Sequence, residues 1–464
     1  MPKRLAAPDM PEPDVLVIGG SLAALCAAIA ARRAGASVRL AELAPRSLRG
    51  GNARHGRNFR IMHPAPTPFS PGRYDGDEYL AELHRAAEGR NDPALSRELV
   101  VRSADIVSWL AAQGVGFQRA DDGLLPVSRR TSFFLGGGKA MVNALYHTAE
   151  RLGVAIGYDS GATELRITDG ALRQVMLHTP AGTRMLRPRT TIVCCGGAQA
   201  DLAGLRPFWG EAADAFIIRG VPYADGAVLR GLIAQGVATA GVPGACHLVA
   251  VDARSPPVDG GIVTRVLGIP AGIVVDRDAR RFHDEGGDVG PTRYAVWGRK
   301  VAEQPGRIAW LILDAEGERQ VPPLLFPPLR AATIPDLAAL AGLDAAALAG
   351  TVAGFNAALR GEGDAGHTVG LAPAKTRHAR PLLIPPFAAI PIRPGITFTC
   401  FGVKVDARAR VLMTDDTPIP NLFAAGMIMA PNILGTGYLA GAAMAISAVF
   451  GRLAGDEAAR HVRA

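Results

Sequence analysis

Residues 14–43, "DVLVIGGSLAALCAAIAARRAGASVRLAEL", constrain the chain more tightly than any other stretch. "DVLVI" is a short apolar run of β type, "GGSLAA" turns the chain, and "LCAAIAARRAG" has helical character up to Gly35. "SVRLAEL" then reads as a second strand closed by Glu42. A strand, a helix and a returning strand imply parallel pairing, and hence an α/β fold. In a GxGxxG unit the glycines let the backbone turn tightly and approach a pyrophosphate, while the helix N-terminus offers N–H groups and the positive end of its dipole. The pattern is degenerate here. Gly19 and Gly20 are present, but Ser21 stands at the second signature glycine and Ala24 at the third. Glu42, 23 residues after Gly19, is spaced to accept hydrogen bonds from ribose hydroxyls.

With 464 residues, 48% of them hydrophobic, the chain is long enough for two domains with buried cores. Its net charge of +8 is spread along the sequence without basic runs interleaved with aromatics, which argues against nucleic-acid binding. Lys occupies only 5 of the 50 basic positions, a bias with no functional content. The five cysteines form no CxxC pair and no metal-ligand spacing, and their odd number fits a reducing cytoplasm better than a disulfide framework. "MPKRLAAPDMPEPD" lacks an apolar h-region and reads as a short disordered lead-in, not a signal peptide. Residues 15–31 and the stretch from 424 to about 450 approach the roughly 20 apolar residues of a membrane span. Both are rich in Gly and Ala, and the first changes period midway, so no membrane span is expected.

Two later strands, "TIVCCGGA" (191–198) and "NLFAAG" (421–426), also end on glycine. Between about 244 and 387 the texture changes, with proline-rich stretches around an Ala-rich helical region. The expected domains are therefore 1–243 and 388–464, forming one unit, with 244–387 inserted as a second domain. "RGGNARHGRN" (49–58) and "LGGGKAMVNALY" (135–146), a glycine loop opening a helix, are further segments suited to one cofactor.

In this order, the dinucleotide unit, Gly50-Gly51-Asn52, the glycine loop, the strand ending at Gly196-Gly197, "RRFHDE" and "LFAAG…GYLAG" resemble a known family. It is the flavoprotein superfamily of fumarate reductases, succinate dehydrogenases and 3-ketosteroid dehydrogenases. Within it, "RHGRN", "IIRGVPY", "CHLVAVDARSP", "DGGIVTR" and "NILGTGYLAG" look most like FAD-dependent tricarballylate dehydrogenases. A related likeness is to the flavin half of fused proteins in cobalamin ring contraction. The resemblance spans residues 13 to 455. It implies a Rossmann-like FAD-binding domain interrupted by an α+β capping domain that closes substrate over the isoalloxazine ring.

Candidate FAD contacts are Gly19, Ser21, Leu22, Ala23, Ala24, Glu42, Leu43, Gly50, Gly51, Asn52, Ala53, Gly137, Gly138, Ala162, Gly196, Gly197, Gly426, Met427, Tyr438 and Leu439. Succinate dehydrogenases tether FAD through a His where this chain has Asn52, so non-covalent FAD is implied; His55 reads as polar lining. Set against the family's usual residues, Ser21, Ala53 (usually Ser) and Met427 (usually Glu) are expected to weaken polar grips on the cofactor. Cys194 and Cys195, where alanines are usual, read as packing beside it.

Oxidising a carbon–carbon bond beside a carboxylate needs a hydride acceptor, a base for the second hydrogen, and cationic clamps for the substrate. The resemblance assigns the proton shuttle to Arg293, with a carboxylate clamp as the other reading of that residue, and substrate binding to His247. Arg265 and Arg219 are further candidate clamps, and Tyr294 a phenolic donor. Fumarate reductases carry a second His and a second Arg where this chain has Phe398 and Tyr438, so dehydrogenation is expected in preference to reduction of fumarate, with Tyr438 at the substrate. The implied substrate is a small polycarboxylate. A steroid-like or tetrapyrrole substrate, or a flavin-binding subunit without catalysis, are the other readings. No iron–sulfur or haem motif is present, so electrons would leave to a separate acceptor, in this family often an iron–sulfur membrane protein.

Overall fold

A computed structural model describes residues 12–121, 128–260, 263–289 and 293–464. The chain forms two compact units. The first comprises the described residues up to Asp201, Tyr223–Cys246 and Phe398–Ala464; the second comprises Leu202–Pro222 and His247–Thr397.

The first unit is built on a six-stranded sheet whose order is Arg410–Leu412, Pro418–Ala424, Thr190–Val193, Val15–Ile18, Val38–Ala41 and Ala155–Gly157. All neighbours pair in parallel except the first two strands, which are antiparallel. Val15–Ile18 is buried throughout and lies centrally, which explains why it is a continuous apolar run without alternation. A three-stranded antiparallel sheet, Gly161–Thr168, Ala171–Thr179 and Gly182–Leu186, fills the excursion between Ala155–Gly157 and Thr190–Val193.

The helix Leu22–Arg33 is buried from Leu22 to Ala31, because it packs on the sheet and on the C-terminal helix Ala442–Arg463. That second contact depends on small residues. A Cβ added to Gly451 would lie 2.5 Å from the Ala23 carbonyl oxygen, and one added to Gly455 would lie 2.3 Å from that of Ala27. The Gly and Ala content that gives these stretches the look of membrane spans is a close helix pair inside a globular unit. Among the described residues, no helix is long and apolar enough to cross a membrane.

The second unit carries a mixed sheet. Ala309–Leu313 lies between Ile273–Asp276 and Phe387–Val403, antiparallel to both, and Ile217–Ile218 pairs in parallel with Gly395 and Ile396. Leu329–Ala331 also pairs with Phe387–Val403. The Ala-rich region read as helical forms Ile334–Ala341 and Ala345–Ala357, whose Leu337, Leu348, Val352 and Phe355 are buried in that unit's core.

The junctions stand at 246/247 and 397/398, and residues 202–222 belong to the second unit. The sequence reading put boundaries at 243/244 and 387/388 and kept 202–222 in the first. Both junctions fall inside continuous strands, Thr239–Asp252 and Phe387–Val403, so no turn or change of composition marks them. Residues 1–11 of the supposed lead-in lie outside the described residues.

Substituting Gly455 by Ala places a methyl group against backbone that has no side-chain freedom to yield. Overpacking of this kind costs about 1–3 kcal/mol. A lowered denaturation midpoint by circular dichroism is expected for Gly455→Ala, and an unchanged midpoint would show that the two helices are not in close contact.

Candidate active site

In the first unit the loops after successive strands form a cradle with little room for side chains. Gly19 has φ +108°, its N–H donates to the Ala41 carbonyl at 2.8 Å, and a Cβ there would lie 2.6 Å from the Cys194 carbonyl oxygen. Ser21 caps the helix Leu22–Arg33 by backbone only, its side chain making no capping bond. The first-turn N–H groups of Leu22, Ala23 and Ala24 are therefore left without a side-chain cap, which is the arrangement that suits a phosphate.

Glu42 is buried. Its Oε1 accepts from the Ala44 N–H at 3.0 Å and its Oε2 from the Gly50 N–H at 3.2 Å. Burial pushes its carboxyl pKa up, opposed by those N–H groups and by Tyr146. The acid thus has internal donors in addition to any ribose. Leu43 packs beside the entry to the strand that holds Ala162, a Cβ on Gly161 falling 2.8 Å from Leu43 Cδ1.

Gly50 (φ +102°) turns the chain into the short helical turn Gly51–His55, which contains Asn52 and Ala53. A Cβ on Gly51 would come within 3.2 Å of Ser21 Cβ, so this loop lies against the phosphate turn. Gly137 (φ +71°) and Gly138 open the helix Gly137–Arg151; at Gly138 a Cβ would sit 2.2 Å from the Ala53 carbonyl oxygen. Gly196 (φ +79°) and Gly197 follow Thr190–Val193, with Thr399 Oγ1 accepting from the Ala198 N–H at 2.9 Å. Gly426 (φ +82°) follows Pro418–Ala424, where a Cβ would lie 2.9 Å from Ala23 Cβ.

Met427 is half-buried against the first unit's core, and Tyr438 and Leu439 are half-buried in the segment before the C-terminal helix. That helix starts at Ala442, after Gly441 (φ +80°), so Gly435 to Gly441 form turns and not a helical start. The Cys194 thiol is pushed well above its usual range by burial, and that of Cys195 up to about 12, so neither is a ready nucleophile.

These features fit FAD: uncapped helical N–H groups, close-approach glycines on four loops and a buried acid after the second strand are what an adenine dinucleotide requires. Asn52 offers an amide, which can hydrogen-bond a flavin but forms no covalent tether to it.

The second unit gathers a cationic cluster. His247 is buried in the strand Thr239–Asp252, and its pKa is lowered to about 3 by burial and by the charges of Arg219 and Arg265. Arg219 is buried and donates to Thr397 Oγ1 at 2.5 Å. The Arg265 guanidinium lies 4.7 Å over the Tyr294 ring, a cation–π contact. Tyr294 and Arg293 begin the helix Arg293–Ala302, which approaches the His247 strand closely: a Cβ on Gly298 would lie 2.3 Å from the Val249 nitrogen. Arg293 donates from Nε to the Leu267 carbonyl at 2.8 Å and from Nη1 to that of Val289 at 3.0 Å, and burial lowers its pKa. The "GGIVTR" and "DVGPTR" stretches include residues 261–262 and 290–292, which lie outside the described residues.

Sequence reasoning missed several residues. Thr397 holds Arg219, Gly298 sets the helix spacing, and Arg60 donates from its side chain to the Ala440 carbonyl at 2.9 Å, two residues from Tyr438. Arg49 and Tyr146 join the cofactor loops and were visible only as members of glycine-rich segments.

Comparison with known proteins agrees with this geometry. The model of the FAD binding domain family matches residues 14–443. The cytochrome-type fumarate reductase of Shewanella frigidimarina is 28% identical over 467 residues, covering 97% of this chain and 77% of that protein. Digoxin reductase of Eggerthella lenta is 24% identical, covering 97% and 87%. Among solved structures, the open form of a flavocytochrome c3 fumarate reductase superimposes with a TM-score of 0.77 at 23% identity, covering 97% of this chain and 78% of that one. A 3-ketosteroid delta1-dehydrogenase from Sterolibacterium denitrificans gives 0.76 at 19% identity, covering 97% and 99%. The chain belongs to the FAD binding domain family and is an FAD-dependent oxidoreductase of the fumarate reductase and 3-ketosteroid dehydrogenase superfamily, acting on carbon–carbon bonds.

Proposed function

We propose that this oxidoreductase dehydrogenates a carbon–carbon bond beside a carboxylate in a small polycarboxylate, of the tricarballylate to cis-aconitate type. The observation that carries the reading is the charge of the second unit's cluster. Burial, with the added charges of Arg219 and Arg265, keeps His247 neutral, and the positive field of those two arginines favours a polyanion. Bound FAD would supply the acceptor for a hydride equivalent from one substrate carbon. Arg293, as the neutral guanidine, takes the proton from the neighbouring carbon and becomes the guanidinium; burial, by lowering its pKa, favours that neutral form. Its bonds to the Leu267 and Val289 carbonyls orient the guanidinium. His247 serves as a neutral hydrogen-bonding group for a carboxylate, with Arg219 and Arg265 as clamps, Tyr294 aligning Arg265, and Tyr438 taking part in substrate selection. FAD is held non-covalently, Asn52 standing where succinate dehydrogenases carry the tethering His. Electrons pass to a separate acceptor, an iron–sulfur or membrane partner, and the proposed compartment is the cytoplasm, in keeping with five free thiols.

A second reading, a steroid-like or tetrapyrrole substrate, draws on the buried aromatic Phe398 and on Tyr438, which stand where a fumarate reductase would carry His and Arg. Anaerobic bleaching of the flavin against a panel of di- and tricarboxylates and steroids separates the readings. Bleaching by a polycarboxylate alone is expected; bleaching by steroids alone overturns the proposal, and bleaching by neither favours a subunit without catalysis.

Arg293→Lys should keep the yellow colour and lose substrate bleaching by two orders of magnitude or more, roughly the range of a general acid–base contribution. Retained bleaching would remove Arg293 from the chemistry.

The depressed pKa of His247 leaves the imidazole neutral above about pH 3 when folded. In the unfolded chain it takes a proton below about 6.5, so its stability contribution is complete above that pH and is lost as the pH falls. His247→Gln should therefore lower kcat/KM by the same factor at pH 5.5 and 8.5. A tenfold change in that factor would show that the imidazole titrates during turnover.

A further inference from the structure

We propose that Tyr146 is a positioning residue for the adenosine diphosphate half of FAD, its hydroxyl locking the phosphate turn, the acid after the second strand and the Gly-Gly-Asn loop into one binding geometry.

Tyr146 lies in the helix Gly137–Arg151, 126 residues beyond Gly20, and is fully buried. Its Oη donates to the Gly20 carbonyl at 2.9 Å and lies 3.3 Å from Glu42 Oε2. The same Glu42 oxygen accepts from the Gly50 N–H. One phenol thus reaches the turn after the first strand directly and the loop at Gly50 through a shared carboxylate. The space is filled: a Cβ on Gly20 would fall 2.1 Å from Tyr146 Oη and 2.2 Å from Glu42 Oε2. Gly20 is therefore a glycine because the phenol and the acid occupy its side-chain volume. A conventional signature uses glycine at this turn for the ligand's approach; here one of the two glycines serves an internal bond.

The ring is clamped from its other face. The Arg49 guanidinium stands 4.2 Å over the Tyr146 centroid, and Arg49 also donates to Tyr158 Oη at 2.7 Å and to Asn143 Oδ1 at 3.2 Å. Arg49 immediately precedes Gly50, so the stack holds the loop from outside while Glu42 holds it from inside. Burial beside Glu42 raises the phenol's pKa far above its usual value, so it remains a donor at every working pH.

The test uses Tyr146→Phe, which keeps the ring, its packing and the Arg49 stack and removes only the oxygen. FAD is stripped from the protein, and the dissociation constants of FAD and of ADP alone are measured by flavin fluorescence and by competition. A single buried hydrogen bond supports an increase of about tenfold for both ligands. The apoprotein should stay folded at the assay temperature, with its thermal midpoint lowered only by what one buried hydrogen bond contributes, and the visible spectrum of bound flavin and its reduction potential should stay at wild-type values. Arg49→Met, which removes the stack but leaves the phenol, should weaken ADP in the same direction. Unchanged FAD and ADP affinity in Tyr146→Phe overturns the proposal. So does an apoprotein partly unfolded at the assay temperature, or a loss confined to FAD with ADP unaffected, since the residue would then serve the fold or the flavin end.

Discussion

The first unit depends on the parallel register of its central strand. Ile18 stands opposite Ala41 on one side and Val193 on the other, and Val193 stands opposite Ala424. Four strands distant in sequence consequently finish level with one another, at the carboxyl edge where parallel α/β sheets take their ligands. The segments that leave that edge carry Gly19, Glu42, Gly196 and Gly426. None of them needs to recognise another for the cradle to form; hydrogen bonding in the sheet has already aligned them. What each segment must do is keep side chains out of the common space, and positive-φ glycines at Gly19, Gly196 and Gly426 do so.

The same economy of side chains appears behind the sheet. Gly451 and Gly455 let the helix Ala442–Arg463 lie against the carbonyls of Ala23 and Ala27, so the helix that follows the Gly19 turn is buttressed by it. Folding the dinucleotide half therefore requires both ends of the sequence. An inserted second unit is compatible with that, because the chain returns through strands already paired.

How much of this was legible in the sequence follows from the range of each interaction. The strand, turn, helix and acid at residues 14–43 were readable because their chemistry is set by neighbours a few positions apart, and the glycine loops because backbone conformation limits the choice of residue. Tyr146 was not, since its partner Gly20 lies 126 residues away and a buried tyrosine on an amphipathic helix looks like core. The junctions at 246/247 and 397/398 were invisible for another reason. A strand that passes from one unit to the next keeps its apolar character throughout, as Phe387–Val403 does. In the second unit, Arg219, His247, Arg265 and Arg293 were named individually, whereas the burial of His247 beside the charges of Arg219 and Arg265, which keeps it neutral, required coordinates.

Ala53 and Met427 would offer a bound FAD no polar side chain, and the uncapped N–H groups at the start of Leu22–Arg33 would then carry more of the grip. A side chain can rotate to meet a ligand; a backbone donor is aimed only as well as the loop that carries it. A cradle of this composition therefore needs stiffer loops than one with the full set of polar residues, and the contacts observed supply that stiffness. Gly138 packs on the Ala53 carbonyl, Thr399 accepts from the Ala198 N–H, and Glu42 collects the N–H groups of Ala44 and Gly50 beneath Tyr146. The Ala53 substitution is informative here, since the residue has no polar side chain but its carbonyl still accepts from the Gly56 N–H at 2.9 Å and so shapes the turn. Loss of side-chain recognition and gain of backbone rigidity are then two aspects of one arrangement, in which the residues that matter most for the cofactor need not touch it.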